Sequence, residues 1–135
     1  ENYVEAYLHK GNAYAELNKE IEAIGSFSRA IEINPNCIDA HQNKGIALGK
    51  LDRLEEALEC YNTVIGLDHN HSKAHHFKGN ILERMDLPEE AIESYTIASK
   101  IEPDSPSIHY EKGKLLSKLG AYQEALDCYS LTISL

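Results

Sequence analysis

Basic residues, cysteine and long apolar runs are all scarce in this chain of 135 residues. Lys and Arg number 13 against 22 Asp and Glu, a formal net charge of −9. A surface of that sign repels phosphate, because nucleic-acid binding draws on clustered cations that release counterions. Nucleic acid is therefore not an expected partner. No stretch approaches the roughly 18 uncharged apolar residues that span a bilayer, and Glu1-Asn2-Tyr3 lacks the basic start of a signal peptide, so no membrane association is expected. Cys37, Cys60 and Cys128 are an odd set without paired spacing, which fits reduced thiols in a cytoplasmic, intracellular protein better than a disulfide framework. Also missing are a Gly-rich phosphate loop ending in Gly-Lys-Ser or Gly-Lys-Thr, a His-Glu-x-x-His pair and a Gly-x-Ser-x-Gly elbow. No catalytic residue and no cofactor are expected.

What the chain has instead is repetition. Glycine falls at Gly11, Gly45, Gly79 and Gly113, each 34 residues after the last and each preceded by lysine. Ala23, Ala57, Ala91 and Ala125 keep the same spacing, as do Phe27, Tyr61, Tyr95 and Tyr129, and Tyr14, Leu48, Leu82 and Leu116. Within a unit, apolar residues recur at helical intervals: Tyr7, Gly11, Tyr14 and Leu17 on one segment, then Ile21, Ile24, Phe27 and Ile31 on a second. The breaks between segments are short and polar, so neighbouring helices must run antiparallel. Pro88 and Pro106 suit first helical turns, Ser105 is placed to cap, acids such as Glu55 and Glu89 open second helices, and Lys50, Arg84 and Lys118 close first ones. Glycine inside a helix costs about 1 kcal/mol against alanine, so four copies need a reason. The expected reason is close approach of each glycine to the alanine of the second helix, the aromatic column filling the gap toward the next hairpin.

These columns together resemble the tetratricopeptide repeat, over about Val4 to Leu135. The resemblance implies an all-α fold, a right-handed α-solenoid of four stacked antiparallel helical hairpins, with residues 1–135 forming one array. The repeats would run at about 4–37, 38–71, 72–105 and 106–135, the last truncated or uncapped. The chain departs from the family pattern where His41, His75 and His109 replace an aromatic residue and where lysine precedes each glycine.

The resemblance also implies a concave groove lined by first helices. Matching columns place five acids there (Glu5, Glu16, Asp39, Glu83, Glu111) and five bases (Lys50, Lys73, Arg84, Lys114, Lys118), with most of the bases in the last two units. An extended ligand is expected to set its acidic end near Lys73, Arg84 and Lys114. Some family members clamp a peptide's C-terminal carboxylates; Asn12, Asn43 and Lys73 match three of the clamp positions, whereas Leu8 and Phe77 lack the charge the other two need. Asparagine instead suits a peptide backbone, having both donor and acceptor. The expected peptide-binding residues are Asn12, Asn43, Lys73, Phe77, Asn80, Arg84, Tyr110 and Lys114, with Phe77 and Tyr110 as apolar anchors.

The function expected is a non-catalytic scaffold or adaptor that binds a protein or peptide ligand, either an extended peptide or a partner helix. Two alternatives stand beside it. One is a regulatory or targeting segment of a longer enzyme. The other is a self-associating solenoid, a homo-oligomer formed through the terminal helix around Tyr122, Leu126, Tyr129 and Ile133. His69, His71, His75 and His76 suggest a metal, but His75 belongs to a packing column and the stretch straddles a loop, so no metal site is expected.

Overall fold

The computed structural model describes residues 3–135; Glu1 and Asn2, noted above for lacking the basic start of a signal peptide, lie outside the described residues. Eight helices follow one another: α1 (Tyr3–Glu16), α2 (Glu20–Ile33), α3 (Ile38–Lys50), α4 (Leu54–Leu67), α5 (Ser72–Arg84), α6 (Pro88–Ile101), α7 (Pro106–Lys118) and α8 (Tyr122–Ser134). No strand occurs among the described residues. The helices pair as four hairpins, α1/α2, α3/α4, α5/α6 and α7/α8. They fall into two compact units, one ending at His69 and one beginning at Asn70. In the first, α3 packs on α2 and also touches α1; in the second, α7 packs on α6.

Every hairpin turns by the same chemistry. Asn18, Asp52, Asp86 and Gly120 stand 34 residues apart and take positive φ values of 57°, 62°, 62° and 83°. The next residue in each turn sends its N–H back to the helix: Lys19 to the Tyr14 carbonyl at 2.9 Å, Arg53 to Leu48 at 3.0 Å, Leu87 to Leu82 at 2.9 Å and Ala121 to Leu116 at 2.9 Å. This is the left-handed helix stop that satisfies the last free carbonyls, and it favours Asn, Asp or Gly because other side chains crowd the backbone there. Leu17 therefore lies in a turn beyond α1, 65% exposed, rather than on the apolar face assigned from the periodicity. Ile21 is likewise 71% exposed; α2 buries Ala23, Ser26, Phe27 and Ala30 instead.

The glycine column has a different partner from the one expected. A Cβ on Gly11 would lie 2.5 Å from the Phe27 ring, on Gly45 2.8 Å from Tyr61, on Gly79 2.6 Å from Tyr95 and on Gly113 2.9 Å from Tyr129. Each glycine thus makes room for the aromatic ring 16 residues on in its own hairpin, where the sequence reading had set it against the alanine. The buried alanines, Ala23, Ala57, Ala91 and Ala125, complete the close helix contact.

The histidine column ties the loops between hairpins to the following helix. His41 Nε2–H donates to the Pro35 carbonyl and His109 Nε2–H to the Pro103 carbonyl, both at 2.8 Å. Pro88 and Pro106 stand in first turns as anticipated, but Ser105 makes no capping bond; its hydroxyl pairs with that of Ser107. Tyr129 is half-buried against Leu116, Ala125 and Cys128, so it does not share the open face on which Tyr122, Leu126 and Ile133 lie.

Candidate functional site

In the first unit, α1 and α3 run side by side and bring together two asparagines that are 31 residues apart. The Asn43 Nδ2–H donates to Asn12 Oδ1 at 3.1 Å. That bond uses one donor of Asn43 and accepts on Asn12, leaving the Asn43 carbonyl oxygen as an acceptor and the Asn12 amide as a donor. Beside the pair is a cavity of about 180 Å³ with Ala15, Phe27, Ile46 and Ala47 as apolar lining and Glu16, Glu20 and Lys50 at its polar side. Lys50 Nζ is 3.7 Å from the largely covered Glu20 carboxylate, which keeps both long side chains beside this space.

In the second unit, α5 and α7 carry the corresponding face. The buried Tyr95 hydroxyl donates to Asn80 Oδ1 at 2.6 Å and lies 3.0 Å from Glu83 Oε1. Burial and the adjacent Glu83 carboxylate hold the Tyr95 phenol well above the usual tyrosine range, so it stays protonated and keeps its O–H to donate. With its oxygen engaged, Asn80 keeps its amide N–H groups as donors. Lys118 Nζ lies 3.4 Å from Glu83, and Lys114 Nζ lies 3.2 Å from Glu111 and 5.2 Å from the Tyr110 ring centroid. The Glu111 carboxylate, by hydrogen bond and charge, holds the Lys114 ammonium above its ordinary value. Asn80, Glu83, Arg84, Glu111 and Lys118 surround an open cavity of about 570 Å³.

The polar groups on the two faces are paired charges, amides and the Tyr95 hydroxyl. Among the described residues no group of three His, Cys, Asp or Glu side chains is placed to hold a metal ion, and no helix is long and apolar enough to cross a membrane. His71 instead serves its own helix, its Nδ1 accepting the Ala74 N–H at 3.2 Å.

A tetratricopeptide repeat model matches residues 4–37 and 38–71, another with the same description matches 106–135, and a TPR repeat model matches 89–120. The chain belongs to the tetratricopeptide repeat family. A crystal structure of MamA superposes with a TM-score of 0.93 at 22% identity, covering 98% of this chain and 78% of that one. A MamA from Desulfovibrio magneticus RS-1, residues 41 to the end, gives 0.91 at 21% identity over 98% and 75% of the two chains. The first TPR of Spaghetti (RPAP3), solved with the HSP90 peptide SRMEEVD, gives 0.85 at 23% identity over 88% and 94%. A search of curated protein sequences found no match.

Within this tetratricopeptide frame the expected site residues divide into groups. Asn12 meets Asn43; Asn80 and Arg84 share one cavity; Tyr110 and Lys114 are stacked. Lys73 and Phe77 occupy one side of α5 by helical spacing but line neither cavity, Lys73 exposed and the Phe77 ring 5.7 Å from that of His76. The sequence reading missed Tyr95 and Glu20, which hold Asn80 and Lys50 from the second helices. The hydroxyl that distinguishes Tyr95 from Phe27 in the aromatic column was the available signal.

Proposed function

We propose that this chain is a non-catalytic protein-interaction module whose first helices take an extended peptide or partner helix. The Asn12–Asn43 pair carries the reading. A peptide bond offers one N–H and one carbonyl, and the pair presents the matching acceptor and donor over an apolar floor that suits a small side chain. The peptide held by the related RPAP3 domain supports this use of the fold. Leu8 and Phe77, at the positions where the clamp described above requires cations, argue against capture of a C-terminal carboxylate pair in this chain.

The second unit carries a candidate binding face of its own. The amide donors of Asn80, with Arg84 and Lys73, favour the acidic part of the ligand. Free thiols at Cys37, Cys60 and Cys128 support action in a reducing cytoplasm; fractionation that placed the protein in an oxidising compartment would contradict this. The reading takes the four repeats, 1–135, as one functional array.

The test is a peptide array screened with the whole chain, followed by affinity measurements on the best binder. Asn43→Ala should weaken binding by about tenfold, the loss of 1 to 2 kcal/mol expected when a hydrogen-bonding group is removed. Lys73→Ala with Arg84→Ala should weaken the same peptide, and more so if it is acidic. Glu55→Ala, exposed on α4, is the control. If Asn43→Ala and the α5 variant bind as the wild type does, the site is misplaced.

A further inference from the structure

The two candidate faces differ at three positions that share a register. Where the first unit has Leu8, Asn43 and Ile46, the second has His76, Glu111 and Lys114. None of the first three side chains titrates, and all of the second three do.

His76 shares one stripe of α5 with Ser72, Lys73, Asn80 and Glu83 by helical spacing. Its half-buried ring meets that of Tyr95 edge-on, with centroids 5.9 Å apart and planes at 65°. Its Nε2 is buried and has no hydrogen-bond partner among the described residues. Two carboxylates act on the ring from neighbouring elements, Glu111 of α7 and Glu102 just beyond α6. Both are already engaged: the Ser72 hydroxyl donates to Glu102 at 2.6 Å, and Lys114 Nζ lies 3.2 Å from Glu111. The Tyr95 hydroxyl is held between Asn80 and Glu83, and Lys118 pairs with Glu83. Burial outweighs the pull of Glu111 and Glu102, so the imidazole is uncharged at neutral pH.

We propose that His76 is a proton-controlled positioning residue of the second-unit face: once protonated it draws the Glu111 carboxylate to itself, and the released Lys114 ammonium holds an acidic side chain of the ligand. The inference rests on the peptide-binding reading of that face. A buried imidazolium with an idle N–H needs an acceptor, and Glu111 is the carboxylate whose present partner can be satisfied elsewhere. A ligand carboxylate gives Lys114 the charge-assisted bond that Glu111 gave it, so the exchange leaves no charge unpaired. The free chain holds His76 neutral and the complex holds it charged. Binding therefore takes up a proton, and affinity rises as pH falls. The first unit, with Leu8, Asn43 and Ile46, has no means of making this response.

Fluorescence anisotropy on the whole chain tests this at pH 7.5 and pH 5.5 and constant ionic strength. The probe is a tetraglutamate peptide with an N-terminal fluorophore and a C-terminal amide. The wild type should bind it about three- to tenfold more tightly at pH 5.5, the gain from one imidazole whose value rises by about half a unit to one unit on binding. His76→Gln should keep the pH 7.5 affinity at both values, and its remaining histidines control for their own titration. Glu111→Gln, which releases Lys114 without a proton, should bind tightly at both. Glu102→Gln should respond to pH as the wild type does. Circular dichroism at each pH checks the helices; His76→Leu, carrying the first unit's residue at that position, is the second variant should His76→Gln lose them. A wild type that binds equally at both pH values overturns the proposal and leaves the binding face standing, as does a pH response that survives in His76→Gln or Glu111→Gln. A wild type that binds the probe at neither pH overturns the face and the proposal together.

Discussion

The glycine column makes a quantitative prediction at Gly79. Replacing it with alanine improves helix propensity by about 1 kcal/mol, so in an open helix it would stabilise. Here the new methyl lies 2.6 Å from Tyr95 Cε1 and 2.7 Å from Cδ1, inside contact distance by most of an ångström. Tyr95 cannot swing clear, because the ring is fully buried and its hydroxyl is fixed on Asn80 and Glu83. Overpacking of this kind costs about 1 to 3 kcal/mol, and displacing the hydroxyl adds about 1 kcal/mol. The balance is a net loss of about 1 to 3 kcal/mol after the propensity gain is subtracted. Urea unfolding followed by far-ultraviolet circular dichroism measures it. Gly25→Ala is the internal control, since its methyl would meet nothing within 4 Å, and it should stabilise by a few tenths to about 1 kcal/mol. Gly113→Ala should cost less than Gly79→Ala, because the half-buried Tyr129 has room to give. A Gly79→Ala protein as stable as the wild type would refute the ring-contact account of the column.

Three further outcomes follow from the geometry. Asp52→Gly should stabilise by about 0.5 to 1 kcal/mol and Gly120→Ala destabilise by about 1 kcal/mol in the same urea assay, since both turns hold positive φ. Burial holds His76 below its ordinary value of 6.5 against the opposing pull of Glu111 and Glu102. The unfolded chain therefore takes up that proton first: the stabilisation is full above pH 6.5 and is lost as pH falls from there through the depressed folded value, so His76→Gln should show a shallower decline between pH 7 and pH 5. Burial also pushes the Cys60 thiol up to about 11, so at pH 8 iodoacetamide should label the half-exposed Cys37 first and reach Cys60 only in urea, as read by mass spectrometry.

Much of the local structure was readable in advance because it depends on residues close along the chain. Acids at second-helix starts, Lys50, Arg84 and Lys118 at first-helix ends, and Pro88 and Pro106 in first turns are where the sequence placed them. Leu17 and Ile21 show the limit of that reading. Their spacing fits a helical face, but the left-handed Asn18 ends α1 ahead of Leu17, and the small Ala23 takes the close contact in place of Ile21. Of the candidate site, Asn12, Asn43, Asn80 and Arg84 were identified by column, whereas Tyr95 escaped because it sits on a second helix and acts through Asn80.

The sequence by itself determined the family and the helical hairpins, since a 34-residue period in four columns is a pattern of local spacing, and spacing dictates which face of a helix is apolar. Only the tertiary structure decided which side chains meet. That Gly79 serves the Tyr95 ring rather than Ala91, that His109 holds the Pro103 carbonyl, and that Asn43 bonds Asn12 all depend on how two helices cross. Crossing distance and angle come from the packing of whole surfaces against one another, and no repeat interval in a single chain encodes them.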